Sequence, residues 1–189
     1  MRNLAFIPAR GGSKGVPGKN MRLINGKPLM FYTINWAKNV GIFDKIFIST
    51  DCPITLEYGL KLGVSYTDLR ITDKNLDKQS AVDLIISHQQ NKSIELNDYD
   101  FIWYLQPTSP IRHKDMAKTI IDLINKNKNF DSLLSFIEVP DEYNAEWQFK
   151  INNGYVFKEE REIITRRQDL PKRYIRDGRF YVTKVSSFL

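Results

Sequence analysis

The sequence predicts an α/β fold, a Rossmann-like arrangement in which a mainly parallel sheet is flanked by helices. Two patterns along the 189 residues indicate it. Predicted strands alternate with helices of about a dozen residues, as in βαβ units. The strand segments are nearly continuous in apolar residues, which is expected when helices cover both faces of a sheet. With 42% hydrophobic residues and no internal repeat or linker, residues 1–189 are predicted to form a single domain.

The individual elements follow from periodicity and from the residues that end helices and strands. The predicted strands are residues 3–7, 45–50, 64–66, 100–105 and 131–139. The predicted helices are residues 28–40, 53–62, 80–90 and 115–127. Inward-facing side chains are expected in the third helix at Val82, Ile85 and Ile86, and in the fourth at Met116, Ile120, Leu123 and Ile124.

Residues 140–171 depart from the α/β pattern. The segment is polar and aromatic, and it contains Asn152-Asn-Gly154, whose Asn-Gly pair is typical of a β-hairpin turn. We therefore predict an excursion from the main fold that carries a hairpin. Its aromatic residues indicate either a surface for a partner or a small satellite core beneath a loop.

Charge and composition limit the classes of partner. The net charge of +6 favours an anionic partner, although a basic surface kept for solubility is the simpler interpretation. The basic residues are scattered, so no nucleic-acid arm is indicated. No segment approaches the length of a membrane span or of a signal sequence. The single Cys52 fits a reduced, cytoplasmic setting, and with two histidines it cannot form the usual zinc site.

The segment after the first predicted strand has the composition of a phosphate-binding loop. Gly11, Gly12, Gly15 and Gly18 allow main-chain N–H groups close to an anion. Three cations, Arg10, Lys14 and Lys19, add charge within the same loop, where guanidinium and ammonium groups suit phosphate oxygens. Two rival phosphate motifs fail, since Lys19 is followed by Asn20 and Gly11 is adjacent to Gly12. The loop therefore predicts a nucleoside triphosphate site; a solvated basic loop is the alternative.

The segment Ile7-Pro-Ala-Arg-Gly-Gly-Ser-Lys-Gly-Val-Pro-Gly-Lys-Asn20 closely resembles the first motif of the acylneuraminate cytidylyltransferases, also called CMP-sialic acid synthetases. Three further segments resemble that family in order and spacing: Ser49-Thr-Asp51, Leu105-Gln-Pro-Thr-Ser-Pro-Ile-Arg112 and Arg166-Arg-Gln-Asp-Leu-Pro171. The resemblance covers nearly the whole chain. It implies a Rossmann-like nucleotidyltransferase fold and a homodimer, in which residues 140–171 form a dimerisation excursion that completes the partner's sugar site.

The same resemblance implies the reaction. The anomeric hydroxyl of a sialic-acid-like nonulosonic acid would attack the α-phosphorus of CTP, giving CMP-sugar and pyrophosphate with the help of Mg²⁺. Implied nucleotide-binding residues are Ala9, Arg10, Gly11, Gly12, Ser13, Lys14, Lys19, Asn20, Arg70 and Ser80. Implied sugar-binding residues are Gln106, Thr108, Ser109, Arg167 and Gln168, and the implied catalytic residues are Arg10, Lys19 and Gln106.

Simpler interpretations exist for several of these residues. Thr108 and Ser109 could cap the helix that follows them. Arg167 could form a salt bridge with Asp169 or Glu162, and Arg70 could be a surface arginine. Gln106 could simply belong to the turn at a strand end.

The sequence departs from the family at three places that concern the reaction. The family's C-terminal segment, whose aspartates would bind Mg²⁺, is absent from these 189 residues, so the metal ligands are not identifiable. A nucleotide-binding module without competent catalysis is therefore an alternative, as is a nucleotidyltransferase for another sugar or base. Residues 141–147 and 175–180 also differ from the family, which leaves legionaminate, pseudaminate or a related acid open beside N-acetylneuraminate.

Overall fold

The computed structural model describes residues 1–64, 79–127, 129–158 and 163–188. The chain divides into two compact units. The first, called the sheet unit below, comprises Met1–Ser135 and Gly178–Leu189. The second, called the hairpin unit, comprises Phe136–Asp177 and includes the predicted excursion. None of the described helices is long and apolar enough to cross a membrane.

The described elements alternate as the sequence predicts. The strands are β1 (Asn3–Pro8), β2 (Leu23–Ile24), β3 (Lys27–Pro28), β4 (Lys45–Ser49), β5 (Phe101–Tyr104), β6 (Ser132–Glu138), β7 (Lys150–Asn152), β8 (Tyr155–Phe157) and β9 (Tyr174–Lys184). The helices are α1 (Leu29–Val40), α2 (Pro53–Lys61), α3 (Ala81–Gln90) and α4 (Lys114–Lys126). Of the predicted strand at 64–66, residues 65 and 66 lie outside the described ranges.

The main sheet has five strands in the order β4-β1-β5-β9-β6. Strand β1 pairs in parallel with both β4 and β5, and β9 runs antiparallel to β5. The predicted α/β fold, with a mainly parallel core flanked by helices, is therefore confirmed. The parallel arrangement brings the carboxyl ends of β1, β4 and β5 to one edge of the sheet, which is where open α/β sheets bind ligands.

The buried strands supply two hydrophobic cores at once. Ala5 and Ile7 of β1 pack into the core that contains Trp103, while Leu4 and Phe6 pack into the core on the other face. Successive side chains of a strand point to opposite faces, so a strand covered on both sides must be apolar at every position. This accounts for the continuous apolar segments, each of whose large side chains contributes about 1.5–3 kcal/mol on burial.

Two of the predicted helix faces need correction. Val82 is 50% exposed, whereas Leu84 and Ile85 of α3 are buried. The inner face of α3 also includes His88, a polar residue that the apolar pattern ignored. In α4, Ile124 is buried but Leu123 is 43% exposed and borders a cavity of about 190 Å³ with Leu133 and Leu134. The face of α4 is therefore only partly covered by described residues.

The hairpin unit contains the turn that the sequence predicts. Strands β7 and β8 pair antiparallel through Asn153 and Gly154, whose φ angles are 49° and 79°. Two successive positive φ angles match the twist of a tight hairpin, and Asn and Gly tolerate them best. The prediction of a hairpin is confirmed. Its role in dimerisation stays a prediction.

Candidate nucleotide-binding cleft

A cleft of about 260 Å³ opens in the sheet unit at the carboxyl ends of β1 and β5. One wall comes from the loop after β1, one from the loop after β5, and a third from the start of α3. The lining residues are Pro8, Arg10, Ser13, Lys19, Asn20, Gln79, Ser80, Leu84, Tyr104, Gln106, Pro107 and Thr108. Residues far apart in sequence thus meet at the edge where the fold predicts a ligand.

The loop after β1 is bound along its start to the segment that follows β4. The main-chain N–H of Ala9 donates to the oxygen of Ser49 over 2.8 Å, and the Thr50 hydroxyl donates to the oxygen of Ala9 over 2.8 Å. The N–H of Gly11 donates to the Asp51 carboxylate over 2.6 Å. Ser49, Thr50 and Asp51 therefore support the loop from behind, and they are not among the residues that line the cleft.

Ser49 has a further buried neighbour. Its hydroxyl lies 2.7 Å from Nε2 of His88 on α3, and the His88 ring contacts the rings of Phe6 and Phe47 edge-on. A buried polar group is costly unless it is hydrogen-bonded. The pair therefore ties α3 to the strand end that carries the loop.

Gly11 and Gly12 differ in their surroundings although they are adjacent. A Cβ on Gly11 would lie 2.8 Å from the Cβ of Cys52, which is closer than real side chains approach. A Cβ on Gly12 would meet nothing within 4 Å. Gly11 is thus required for packing, whereas Gly12 leaves its main chain open to a ligand.

The far end of the loop is closed by Asn20. Gly18 adopts the left-handed conformation with a φ of 63°, and the residues Lys19–Met21 form one 3-10 turn after it. Asn20 is buried there, and its side-chain amide donates to the main-chain oxygen of Arg10 over 2.9 Å. Arg10 and Lys19 are thereby placed on the same wall of the cleft.

The predicted site residues separate into three groups. Those that line the cleft are Arg10, Ser13, Lys19, Asn20, Ser80, Gln106 and Thr108. Those that lie in the sheet unit without lining it are Ala9, Gly11, Gly12, Lys14 and Ser109. Arg167 and Gln168 belong to the hairpin unit, and Arg70 lies outside the described residues.

The simpler interpretations of Thr108 and Ser109 as helix caps are wrong. Helix α4 begins at Lys114, its N-cap is His113, and that cap has no side-chain hydrogen bond. The side chain that does cap a helix here is Ser80, which forms a reciprocal capping box with Asp83 at the start of α3. Ser80 is thus fixed in orientation at the cleft wall by its role in the helix.

Arg167 forms an ion pair with Asp141 instead of Asp169, and Glu162, the other partner considered, lies outside the described residues. Its guanidinium pairs with Asp141 within the hairpin unit, whereas Arg166 pairs with Asp169 over 2.6 Å. The hydrogen bond and charge of Asp141 raise the pKa of Arg167 further above its ordinary value. Arg167 is exposed, so this pair is of the kind that contributes little to stability.

Sequence reasoning missed several residues of the site. Tyr104 ends β5, lines the cleft and stacks on Phe6 with ring centroids 5.8 Å apart. Arg112 is buried and hydrogen-bonds the main-chain oxygen of Gln106, and Gly178 lies against the Gln106 side chain. The position of Arg112 at the end of the segment Leu105–Arg112 was a sequence signal that could have indicated its role. Nothing in the sequence indicated that Gly178 contacts Gln106.

The charges of the described cleft suit an anion, and its residues do not fit a magnesium site. Arg10 and Lys19 are its two cationic lining residues, and the described lining set includes no carboxylate. Within the described ranges there is also no group of three or more residues of the types that ligate metals. An Asp-x-Asp pattern does occur at Asp98 and Asp100, but it precedes β5 at the opposite end of the strand, where Asp100 accepts from the N–H of Arg2.

Comparison with known proteins gives a consistent family. The sequence profile of the family described as cytidylyltransferase matches residues 4–187. A pseudaminic acid cytidylyltransferase of Campylobacter jejuni is 35% identical over 201 residues, covering 100% of this chain and 81% of the relative. An N-acylneuraminate cytidylyltransferase of Streptococcus agalactiae is 32% identical over 200 residues, covering 100% of this chain and 45% of the relative.

The solved structures give the same fold. A CMP:2-keto-3-deoxy-manno-octonic acid synthetase complexed with CTP superposes with a TM-score of 0.74 at 17% identity, covering 100% of this chain and 76% of that one. At 17% identity the structural similarity establishes only the fold. The family assignment is based on the sequence matches over nearly the whole chain. The chain is a nucleotidyltransferase, and it belongs to the cytidylyltransferase family.

Proposed function

We propose that this chain transfers CMP from CTP to the anomeric hydroxyl of a sialic-acid-like nonulosonic acid, giving CMP-sugar and pyrophosphate. One observation carries the proposal. The cleft places the cations Arg10 and Lys19 on one wall and the polar side chains Gln106 and Thr108 on the wall formed by the neighbouring parallel strand. A triphosphate and a polyhydroxylated acceptor would thus occupy adjoining halves of one site.

The β1 loop would bind the triphosphate. Arg10 and Lys19 neutralise negative charge on its oxygens, and the Ser13 hydroxyl adds a hydrogen bond from the same wall. The main chain at Gly12 is exposed, and a Cβ there would meet nothing within 4 Å, so none of the described residues would hinder a phosphate that extends out of the cleft along this loop. Phosphoryl-type transfer depends mainly on positioning and on charge stabilisation, so a loop held rigid by Asn20 and Asp51 supplies what the step requires.

The β5 loop would bind the sugar. The Gln106 amide presents both a donor and an acceptor, so it can recognise a hydroxyl or a carboxylate of the acceptor by directed hydrogen bonds. Thr108 lines the same wall and adds a hydroxyl. Ser109 lies behind Gln106, where its side chain approaches Gly178, and would act by supporting the loop.

We also propose that the protein acts as a homodimer whose hairpin unit contributes Arg167 and Gln168 to the sugar site of the second copy. The hairpin unit exposes several large apolar side chains, namely Ile151, Tyr155, Val156 and Phe157. Such a patch is typical of an interaction surface. Arg167 remains a full cation beside Asp141, as recognition of a sugar carboxylate needs.

The acceptor is proposed to be pseudaminate or N-acylneuraminate, the sugars in the names of the two relatives. Dependence on Mg²⁺, which the family resemblance implies, and a cytoplasmic location, which the single Cys52 indicates, are further proposals. Since the described cleft residues include no carboxylate, no step of the reaction is assigned to a metal. That same feature favours the second candidate, a module that binds the nucleotide without turnover.

The test is release of pyrophosphate from CTP with a panel of nonulosonic acids, with and without added Mg²⁺. We expect turnover with at least one acid and CTP, and none with GTP, ATP or UTP. Turnover with another nucleotide would overturn the choice of base. Calorimetric binding of CTP without turnover of any acid would establish the binding module instead.

A further inference from the structure

Gln106 is restrained from two sides in the sheet unit. Its main-chain oxygen accepts from Nη2 of Arg112 over 2.8 Å and from the N–H of Ser109 over 3.1 Å. Its side-chain oxygen lies beside Gly178, so close that a Cβ on Gly178 would be 2.9 Å from it. The same Cβ would lie 3.0 Å from the Ser109 hydroxyl oxygen. Both the position and the rotamer of Gln106 therefore depend on residues outside the cleft lining.

Arg112 joins three parts of the sheet unit. Besides Gln106, its guanidinium donates to the Thr33 hydroxyl of α1 over 2.8 Å and to the main-chain oxygen of Arg179 in β9 over 2.9 Å. The side chain is only 8% exposed, and it packs near the rings of Trp36 and Phe180. The planar guanidinium offers directed donors that match this set of oxygens, which the single ammonium of lysine cannot reproduce.

Gly178 occupies a place that other residues cannot take without displacing Gln106. Its φ of 74° is in the left-handed region, where a side chain is strained. It also precedes Arg179, to whose main-chain oxygen the Arg112 guanidinium donates a hydrogen bond. The bare Cα of Gly178 and the guanidinium of Arg112 thus contact the same short loop from adjoining sides.

We propose that Arg112 and Gly178 are positioning residues that set the Gln106 side chain for the sugar acceptor, so that recognition of the sugar, rather than of CTP, depends on them. This inference rests on the proposed function, because it takes Gln106 to contact the sugar. If Arg112 and Gly178 only stabilised the fold, replacing them would reduce the amount of folded protein and so impair binding of the sugar and of CTP alike. Positioning would change the KM for the sugar while CTP binding stays as in the wild type.

The sharpest test compares Gly178→Ala with Gly41→Ala. Gly41 has a similar φ of 67°, and a Cβ there would meet nothing within 4 Å, so both variants carry the backbone strain and only one displaces Gln106. We expect Gly178→Ala to raise the sugar KM by about tenfold or more, since displacement of a positioning group by about 1 Å can cost up to a hundredfold. The CTP dissociation constant should stay within about twofold. Equal sugar KM values for the two variants would overturn the inference.

A second pair of variants tests Arg112 without removing a buried charge. Thr33→Val deletes one acceptor of the guanidinium. Thr183→Val, the control, deletes a hydroxyl that pairs with Ser132 and stands opposite Ile102, near the start of β5, whereas Gln106 follows the end of that strand. We expect only Thr33→Val to raise the sugar KM, by about threefold to tenfold. Arg112→Lys should have a larger effect than Thr33→Val in the same direction, and an unchanged sugar KM in both would contradict the role.

Hydrogen exchange separates failure of this inference from failure of the proposed function. The Ser109 amide bonds the Gln106 oxygen, so Arg112→Lys should speed exchange at Ser109 more than at Ala9. If the wild type binds CTP but turns over no sugar, the proposed function fails, and the exchange result still decides whether Arg112 positions the loop. Equal protection of Ser109 in wild type and Arg112→Lys would overturn the positioning role directly.

Discussion

The side-chain amide of Asn20 donates a hydrogen bond of 2.9 Å to the main-chain oxygen of Arg10, so the two ends of the glycine-rich loop are joined by one contact. Asn20 is buried, and Arg10 lines the cleft. The loop is therefore closed before any ligand arrives. Closure in advance reduces the ordering that a bound triphosphate would have to impose.

Replacing Asn20 by Ala should weaken CTP binding with little loss of fold. A single net hydrogen bond contributes about 0.5–1.5 kcal/mol, so we expect CTP affinity to fall by about threefold to tenfold. Calorimetry with CTP measures the effect. Asn39→Ala, at an exposed position of α1, is the matched control and should bind CTP as the wild type does. Equal affinities for both variants would contradict closure of the loop by Asn20.

Arg10→Ala should cost more than Asn20→Ala because it removes a charged donor from the cleft. Hydrogen bonds to charged groups contribute about 1.5–3 kcal/mol, which corresponds to a loss of about tenfold to a hundredfold in CTP affinity. The melting temperature should stay close to that of the wild type. Arg2→Ala, an exposed change one residue before β1, should leave affinity unchanged. Full CTP affinity in Arg10→Ala would show that the loop is not the triphosphate site.

Gly11→Ala should destabilise the fold, whereas Gly12→Ala should leave its stability unchanged. The added Cβ at Gly11 meets Cys52 at 2.8 Å, so the loop or the start of α2 must shift, and overpacking of this kind costs about 1–3 kcal/mol. At Gly12 the added methyl meets nothing within 4 Å. Chemical denaturation should show a loss of stability for Gly11→Ala alone. CTP binding should weaken in Gly11→Ala, because the loop that carries Arg10 shifts, and should change less in Gly12→Ala, because Gly12 does not line the cleft.

The Cys52 thiol should ionise at lower pH than an ordinary cysteine. A hydrogen bond from the Thr55 side chain is the largest cause that lowers its pKa, followed by one from the Thr55 main chain. Because the folded-state pKa is lowered, the associated stability is present above the unfolded pKa and is lost as the pH falls through the folded one. The rate of alkylation against pH reports the ionisation. Thr55→Val should shift the midpoint of that curve to higher pH. An unchanged midpoint would show that the Thr55 hydroxyl does not lower the pKa of Cys52.

Much of the fold could be predicted because its signals are local. The bounds of α1 follow from apolar spacing and from Gly41, whose φ of 67° ends the helix. The hairpin turn at Asn153 and Gly154 follows from the backbone freedom of those two residues. The predicted inner face of α3 was wrong at Val82. The helix is oriented by the buried His88, which hydrogen-bonds Ser49, and a polar contact of this kind cannot be recognised from the spacing of apolar residues.

The sequence alone determined the alternation of strands and helices, the glycines and cations of the loop after β1, and the resemblance that named a family. These depend on composition and on spacing over a few residues. Only the tertiary structure decided which residues support the loop, since Asp51, Cys52 and Asn20 contact it through the packing of separate elements. It also revealed that Arg112 and Gly178 meet at Gln106. Such contacts depend on distances between strands that are far apart in the chain, and those distances are set by the registry of the sheet.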